Sequence, residues 1–256
     1  MPAKTKKVEA AHAVRVGIGG WTFEPWDETF YPKGLAKKRQ LEHASRQLTA
    51  IEINGTFYRN QTPATFAKWA GETPDGFMFS VKAQRFCTMR KTREDMRASI
   101  QSFLESGVTE LGDKLGPINW QFPATRKFTA DYFTAFLGEL PREHKKRALR
   151  HAIEVRHESF NTAEFHDLVR KHGCAIVAAD DEDWPQADVE TADFAYIRLQ
   201  RTKAEEKTGY PAKDISAWAK TFKDWAKTRD VFAYFIAGAK ERNPAAAMAL
   251  ISRLED

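Results

Sequence analysis

The 256-residue chain has few cysteines and no long apolar run. Its two cysteines, Cys87 and Cys174, lie far apart, so the sequence contains neither a disulfide framework nor a cysteine-based metal spacing, which fits a reducing compartment. No segment approaches the roughly 18 consecutive apolar residues of a membrane span. Residues 1–12 are rich in lysine and alanine without the apolar core of a signal peptide. We therefore expect a cytoplasmic protein with no membrane segment and with a disordered basic tail over residues 1–12.

Several motifs of known chemistry are also missing. The sequence has no His-x-x-x-His pair, no paired cysteines and no Asp-rich calcium loop, so we expect neither a metal site nor a cofactor. It contains no Gly-x-Ser-x-Gly elbow and no Walker phosphate loop. The glycine-rich stretch at 17–20 leads into Trp21-Thr22-Phe23 rather than into a helix, which excludes a dinucleotide-binding Rossmann motif.

Neither sign of charge strongly dominates the composition. The formal net charge is +5 and the pI about 9.1, a mild excess of base that permits acidic or phosphorylated partners without requiring nucleic acid. Hydrophobic residues make up 42% and charged residues 29%, so a packed core is expected and global disorder is excluded. The length suits one β/α barrel domain.

Short β-branched or aromatic runs alternate with helix-prone stretches along the chain, which predicts alternating strands and helices. Eight strands are predicted, at Val14–Ile18, Ala50–Asn54, Phe77–Lys82, Ile118–Phe122, Ala152–Val155, Ala175–Ala179, Phe194–Leu199 and Val231–Ile236. Seven helices are predicted, at Arg39–Leu48, Pro63–Ala70, Arg93–Glu105, Thr129–Leu140, Thr162–His172, Ile215–Thr228 and Pro244–Leu254.

This alternation predicts the α/β class and a single (β/α)8 TIM-type barrel over residues 13–256. The connection between the sixth and seventh strands is acidic and is interrupted by Pro185, so we expect an irregular sixth helix there. An open doubly wound sheet is the alternative. It is less favoured because eight evenly spaced units suit a closed ring and no glycine-rich dinucleotide loop is present.

Polar side chains stand at the end of nearly every predicted strand, where β/α barrels carry their active sites. Glu52 and Asn54 are two residues apart and share one face of a strand, and Glu154 and Arg156 repeat that pattern. We expect the two carboxylates to meet and to divide acid and base roles, because like charges and burial push their pKa values apart. The alternative interpretation is a buried ion-pair network that closes the barrel mouth.

Aromatic and basic residues crowd several of the same loops. Aromatic side chains in the first loop and at Phe57-Tyr58 are suited to stack on a base or sugar, or else to cap the barrel as a minor core. Basic residues follow the third strand (85–93) and the seventh (201–203), where they predict phosphate contacts or form a solvated face.

The order and spacing of several blocks resemble the YecE-like family, known as domain of unknown function 72. The resemblance runs from about Val14 to the chain end and is most specific over Glu52–Arg59. The matching blocks are Gly17-Ile18-Gly19-Gly20-Trp21, Phe30-Tyr31-Pro32, Ile51–Arg59, Thr73–Lys82, Leu115-Gly116-Pro117, Gln121-Phe122-Pro123, Glu154–Phe160 and Tyr196-Ile197-Arg198-Leu199.

The resemblance implies a β/α barrel and no established reaction. It also implies that the matching polar and aromatic positions line a common cleft. With the strand-end argument, this gives Glu52, Lys82, Glu154 and Asp180 as predicted catalytic residues, and Trp21, Asn54, Thr56, Tyr58, Gln121, Arg156, His157 and Arg198 as predicted substrate-binding residues.

The sequence departs from the family pattern at two places. Relatives usually continue with His-Gly after the Tyr196–Leu199 block, whereas Gln200 and Arg201 stand here. Relatives usually carry paired asparagines after Tyr234-Phe235, whereas Ile236 and Ala237 stand here. The cleft is therefore changed at the ends of the last two strands.

Two functions remain open on this evidence. The first is an enzyme of acid–base or hydrolytic chemistry on a small polar, anionic or phosphorylated substrate, with Lys82, Arg156 and Arg198 holding negative charge and Asn54 and Gln121 orienting the ligand. The alternative is a non-catalytic binding module for a phosphorylated metabolite or nucleic acid.

Overall fold

Eight parallel strands form a closed ring in the computed structural model, which describes residues 12–181 and 190–256. Each strand pairs with its neighbours in sequence, and the first pairs with the last. The barrel strands are β1 (Val14–Gly19), β2 (Ala50–Ile53), β3 (Met78–Lys82), β4 (Leu115–Gln121), β5 (His151–Glu154), β6 (Ala175–Ala179), β7 (Phe194–Leu199) and β8 (Asp230–Phe235).

Helices surround this ring. They are α1 (Trp26–Thr29), α2 (Gln40–Gln47), α3 (Pro63–Glu72), α4 (Phe86–Met89), α5 (Arg93–Glu105), α6 (Ala130–Gly138), α7 (Ala163–Lys171), α8 (Ala212–Trp225) and α9 (Asn243–Glu255). Within residues 12–181 and 190–256, no helix has the length and apolarity that crossing a bilayer requires.

The predicted (β/α)8 barrel is confirmed, and the predicted elements differ from the observed ones only in their bounds and in short additions. The acidic segment that predicted an irregular sixth helix lies mostly in residues 182–189, and nearly all of the predicted basic tail lies in residues 1–11. Both stretches are outside the described residues.

A short antiparallel hairpin before β5 was not predicted. It pairs Glu143–His144 with Arg147–Ala148. Its turn residues Lys145 and Lys146 have φ of 48° and 64°, the left-handed conformation that hairpin turns usually mark with Asn or Gly. Two lysines in that position leave no turn signal in the sequence.

Side chains alternate between two cores along each strand. One set packs outward against the helices, for example Ile51, Val81 and Trp120. The other set fills the barrel lumen and includes Ala50 and Phe232. Because successive residues of a strand point to opposite faces, Glu52 lies on the same lumen side as Ala50, one layer nearer the carboxyl ends.

The close approach of β1 to β2 depends on a glycine. A Cβ atom added at Gly17 would stand 1.8 Å from the carbonyl oxygen of Ala50, so any side chain at this position would force the two strands apart. Ring closure at this point therefore requires glycine.

His151 at the start of β5 is buried in the outer core and must remain neutral there. Its Nδ1 accepts a hydrogen bond from Trp120 Nε1 at 3.0 Å, and its Nε2 lies 2.7 Å from the carbonyl oxygen of Pro141, which requires a proton on Nε2 alone. Burial lowers the pKa of His151 to about 4, against the opposing effect of the Pro141 carbonyl.

We predict that this histidine makes the fold lose stability between about pH 6.5 and pH 4. In that window the unfolded chain binds a proton at His151 and the folded chain does not, so lowering the pH favours unfolding. The free energy of unfolding should fall by about 3 kcal/mol from this group, at about 1.36 kcal/mol per pKa unit. Urea titrations across this range should show the slope reduced in His151→Gln and largely kept in His166→Gln, whose histidine is less buried. An equal slope in wild type and His151→Gln would contradict the assignment.

Candidate functional site

Three buried charged side chains meet inside the barrel at the carboxyl ends of the strands. Arg198 of β7 lies between Glu52 of β2 and Glu154 of β5, and we refer to these three residues as the buried charge cluster. Arg198 Nη2 donates to Glu52 Oε1 at 3.0 Å, and Nη1 donates to both carboxylate oxygens of Glu154 at 2.9 Å. All three residues are at most 2% exposed. One guanidinium thus joins two carboxylates from distant parts of the chain.

Two neutral side chains add hydrogen bonds to the carboxylates of this cluster, while Arg198 Nε has no partner among the described residues. Asn119 of β4 donates through Nδ2 to Glu154 Oε2 at 2.9 Å and approaches Glu52 Oε2 at 3.4 Å. The Tyr196 hydroxyl donates to Glu52 Oε2. Every carboxylate oxygen of Glu52 and Glu154 therefore accepts at least one hydrogen bond, which is the condition for keeping such groups buried.

Burial and neighbouring charges shift the pKa values of Glu154, Arg198 and Tyr196. Burial acts to raise the pKa of Glu154, but Arg198, Arg156 and Lys82 outweigh it and lower that pKa to about 2. Burial acts to lower the pKa of Arg198, and Glu154 and Glu52 raise it above its ordinary value. Burial, followed by the charge of Glu52, raises the pKa of Tyr196 well above 10. Glu154 is consequently a permanent carboxylate at neutral pH.

Arg156 and Gln121 lie above the cluster, at the rim of the barrel. Arg156 donates to Glu154 Oε1 through Nε at 3.0 Å and Nη2 at 2.7 Å, and Nη2 also donates to Gln121 Oε1 at 3.0 Å. The Arg156 side chain is 22% exposed, so it connects the buried carboxylate to solvent.

Lys82 ends β3 at the same rim and is half-buried. Its Nζ stands 4.3 Å from the centre of the Phe57 ring, and within the described residues it makes no hydrogen bond and no ion pair. Burial, followed by repulsion from Arg198, lowers the pKa of Lys82 to about 8, although Glu52 and Glu154 act in the opposite direction. Thr56 is fully buried and donates through Oγ1 to the Lys82 carbonyl at 2.6 Å, which holds the end of β3 in place.

Asn54 has an unsatisfied polar atom on the β1 side of the rim. Its Oδ1 is buried and has no hydrogen-bond partner in the described part of the chain. A Cβ atom added at Gly19 would lie 2.7 Å from Asn54 Nδ2, so only glycine leaves room for this amide.

The other predicted site residues lie apart from the buried charge cluster. Trp21 packs edge-on against Trp69 of α3 at 5.1 Å between ring centres, and thus belongs to the helix layer. Tyr58 is 70% exposed. His157 accepts a hydrogen bond from the Ser159 amide and braces the loop after β5. Asp180 accepts from the Gln200 amide and the Tyr210 hydroxyl, so its contacts are with the loop after β7.

The prediction of strand-end residues missed four lumen residues that support the cluster. Two of them, Asn119 and Tyr196, contact the carboxylates directly. The other two, Ser80 and Tyr234, form a buried hydrogen bond 2.6 Å long between their hydroxyls. Asn119, Tyr196 and Ser80 each stand two residues before a predicted site residue, so the two-residue alternation of a strand was the signal that could have found them.

Fold and site together define a TIM barrel with a charged, hydrogen-bonded centre at the carboxyl ends of its strands. The family model described as protein of unknown function DUF72 matches residues 15–256, and the chain belongs to this family. A segment of 121 residues is 27% identical to the UPF0759 protein YunF of Bacillus subtilis, and it spans 43% of this chain and 40% of that protein.

Solved structures show the same fold. A DUF72 family protein from Thermotoga maritima superposes with a TM-score of 0.77 at 22% identity, over 96% of this chain and all of that one. A D-psicose 3-epimerase crystallised in the presence of D-fructose superposes with a TM-score of 0.54 at 11% identity, over 93% of this chain and 96% of that one, a likeness of the barrel alone.

We predict that Glu154→Gln destabilises the protein by about 3 to 5 kcal/mol, because it removes one of the two carboxylates that pair with the buried guanidinium of Arg198 and the one that pairs with Arg156. The measurement is the free energy of unfolding from urea titration. Glu42→Gln is the matched control, since Glu42 also faces two arginines, Arg39 and Arg46, but on the surface, and should change stability little. Equal effects of the two substitutions would show that the cluster is not a constraint on the fold.

Proposed function

We propose that the chain is an enzyme that performs proton-transfer chemistry on a small polar, anionic substrate held at the carboxyl ends of the barrel strands. Lys82 is the residue that exchanges the proton. The observation that carries the proposal is the state of its amine, which is half-buried at the rim, without a hydrogen bond in the described part of the chain, and with a pKa of about 8. A base with a pKa near the working pH is the most effective proton carrier.

The two carboxylates take a supporting role in this proposal. The sequence alone suggested Glu52 and Glu154 as acid and base. Their oxygens, however, are occupied by Arg198, Asn119 and Tyr196, and the pKa of Glu154 lies at about 2. We therefore assign them the task of holding Arg198 in the lumen, where its charge lowers the pKa of Lys82.

The balance of charge supports an anionic substrate. Arg198 and Arg156 are paired with Glu52 and Glu154. Lys82, when protonated, adds a positive charge at the rim, on the side that solvent reaches, and among the described residues it forms no ion pair. An anion bound there would neutralise it and would raise the pKa of Lys82.

This coupling predicts that anion binding takes up protons. With sulfate as the probe at pH 8, calorimetry in two buffers of different ionisation enthalpy should show uptake approaching about half a proton per sulfate bound, because about half of the Lys82 amine is unprotonated at that pH. Lys82→Met should abolish the uptake, and Lys220→Met on the exposed face of α8 should leave it unchanged. Sulfate binding without proton uptake in the wild-type protein would overturn the role of Lys82.

A second prediction separates an enzyme from a binding module. In Lys82→Arg the rim keeps its positive charge but loses a group that deprotonates near pH 8. Sulfate affinity should be retained, while turnover of a panel of small anionic metabolites should fall by about 10²- to 10⁴-fold. A wild-type protein that binds members of the panel without converting any of them would favour the non-catalytic alternative. Unchanged turnover in Lys82→Arg would remove Lys82 from the mechanism.

A further inference from the structure

The exposed apolar side chains of the described residues are gathered on one part of the barrel surface. Tyr58 is 70% exposed, Phe86 41% and Met89 48%. Among residues 12–181 and 190–256, no other large apolar side chain is classed as exposed. Tyr58 belongs to the loop after β2, and Phe86 and Met89 belong to α4 after β3. Such clustering marks an interaction surface rather than a random scatter.

Hydrogen bonds hold these loops to one another. The Arg85 amide donates to the Phe57 carbonyl at 3.0 Å, which joins the loop after β3 to the loop after β2. Thr88 Oγ1 donates to the Gln121 carbonyl at 2.7 Å, which joins α4 to the end of β4. The Tyr132 hydroxyl donates to the Arg90 carbonyl at 3.0 Å. The exposed rings therefore stand on a fixed surface.

Basic side chains surround these rings and are not neutralised by acids. In the described part of the chain no ion pair is formed by any of the six, which are Arg59, Arg85, Arg90, Lys91, Arg126 and Lys127. The neighbouring Arg93 and Arg97 differ, because both pair with Glu139. The six cations and the rings of Tyr58 and Phe86, with Met89, are together called the α4 surface.

The arrangement of rings and cations on the α4 surface fits a chain of bases and phosphates. The guanidinium groups of Arg85 and Arg90 both lie 5.1 Å from the centre of the Phe86 ring. A groove of about 290 Å³ is lined by Phe86 and Arg90, and another of about 440 Å³ is lined by Met89, Arg126 and Lys127. Asp95 also lines the first groove, where it accepts a hydrogen bond from Thr92 at the start of α5.

We propose that the α4 surface binds single-stranded nucleic acid. The six cations neutralise phosphates. The exposed Tyr58 ring, and the Phe86 ring with the guanidinium planes of Arg85 and Arg90 over it, stack on bases that a duplex would keep inside its own helix. A duplex offers phosphates but no free base faces. A folded acidic protein does not present charges at the regular spacing of a phosphate backbone, and it has no bases to stack on the rings. The surface adjoins the barrel rim, since the Tyr58 ring packs on Phe57, whose face carries Lys82. The proposal does not depend on the proposed function.

The test is fluorescence anisotropy of the full chain with a labelled oligodeoxythymidine of about 12 nucleotides. Raising the salt concentration from about 50 to 200 mM should weaken binding on the order of 10²-fold, as expected for about six phosphate contacts at 0.7 ions released per contact. The double variant Tyr58→Ala and Phe86→Ala should lose roughly tenfold or more in affinity. Tyr58→Phe, which keeps a stacking face, should bind like the wild type.

Charge-matched variants and competitors make the outcome decisive. Arg85→Gln with Arg90→Gln should reduce the slope of log affinity against log salt by about 1.4. Lys220→Gln with Lys223→Gln removes two exposed lysines of α8 and should leave affinity nearly unchanged. The proposal fails if both double variants weaken binding equally, if a duplex of the same length binds as tightly as the single strand, if anionic lipid vesicles displace the oligonucleotide at equal phosphate concentration, or if no binding is detected at low salt.

Discussion

Arg198 is the side chain on which the interior of this barrel depends. A fully buried guanidinium is tolerated only where anions and hydrogen-bond acceptors surround it, and β2 and β5 each supply a carboxylate. In turn, two carboxylates facing one lumen would repel each other without the cation between them. Arg198 stands 44 positions from Glu154 and 146 positions from Glu52 in the chain, so the ion pairs also join distant segments at the carboxyl end of the ring.

The side chains inside the barrel are arranged in layers along the barrel axis. The lower part of the lumen holds apolar side chains such as Ala50, Phe194 and Phe232, which fill the barrel and exclude water. The next layer toward the carboxyl ends holds the buried charge cluster, and Lys82 and Arg156 stand above it. The Lys82 amine is poorly solvated on the side that faces the buried charge cluster. Burial therefore lowers the pKa of Lys82, and repulsion from Arg198 lowers it further. Residues of the buried charge cluster, in the layer beneath the rim, thus help to set the pKa of Lys82 at the rim.

The parts of this structure that could be predicted from the sequence are those that follow from repeated apolar runs and from the two-residue alternation of strands. The eight apolar runs were sufficient for the barrel. The spacing of Glu52 with Asn54 and of Glu154 with Arg156 predicted that each pair shares one strand face, and the two carboxylates meet because both of those faces point inward. Asn119 could have been found by the same alternation, because Gln121 follows it by two. The hairpin at 143–148 could not, because two lysines occupy its left-handed turn. Nor could the outward packing of Trp21, since a ring after a strand fits either the cleft or the helix layer, and the position of Trp69 decides between them.

The two sides of the rim differ in polarity. Ile236 and Asn54 both border Gly19. An isoleucine cannot hydrogen-bond an amide, and the Oδ1 of Asn54 is left buried and unpaired in the described part of the chain. The β1 and β8 side of the rim therefore presents an apolar wall beside a buried, unpaired amide oxygen, while the β3, β4 and β5 side carries Lys82, Gln121 and Arg156. The anionic substrate that we propose would therefore place its charge toward β3 and β5, because the amine of Lys82 and the guanidinium of Arg156 stand on that side and an apolar wall cannot solvate an anion.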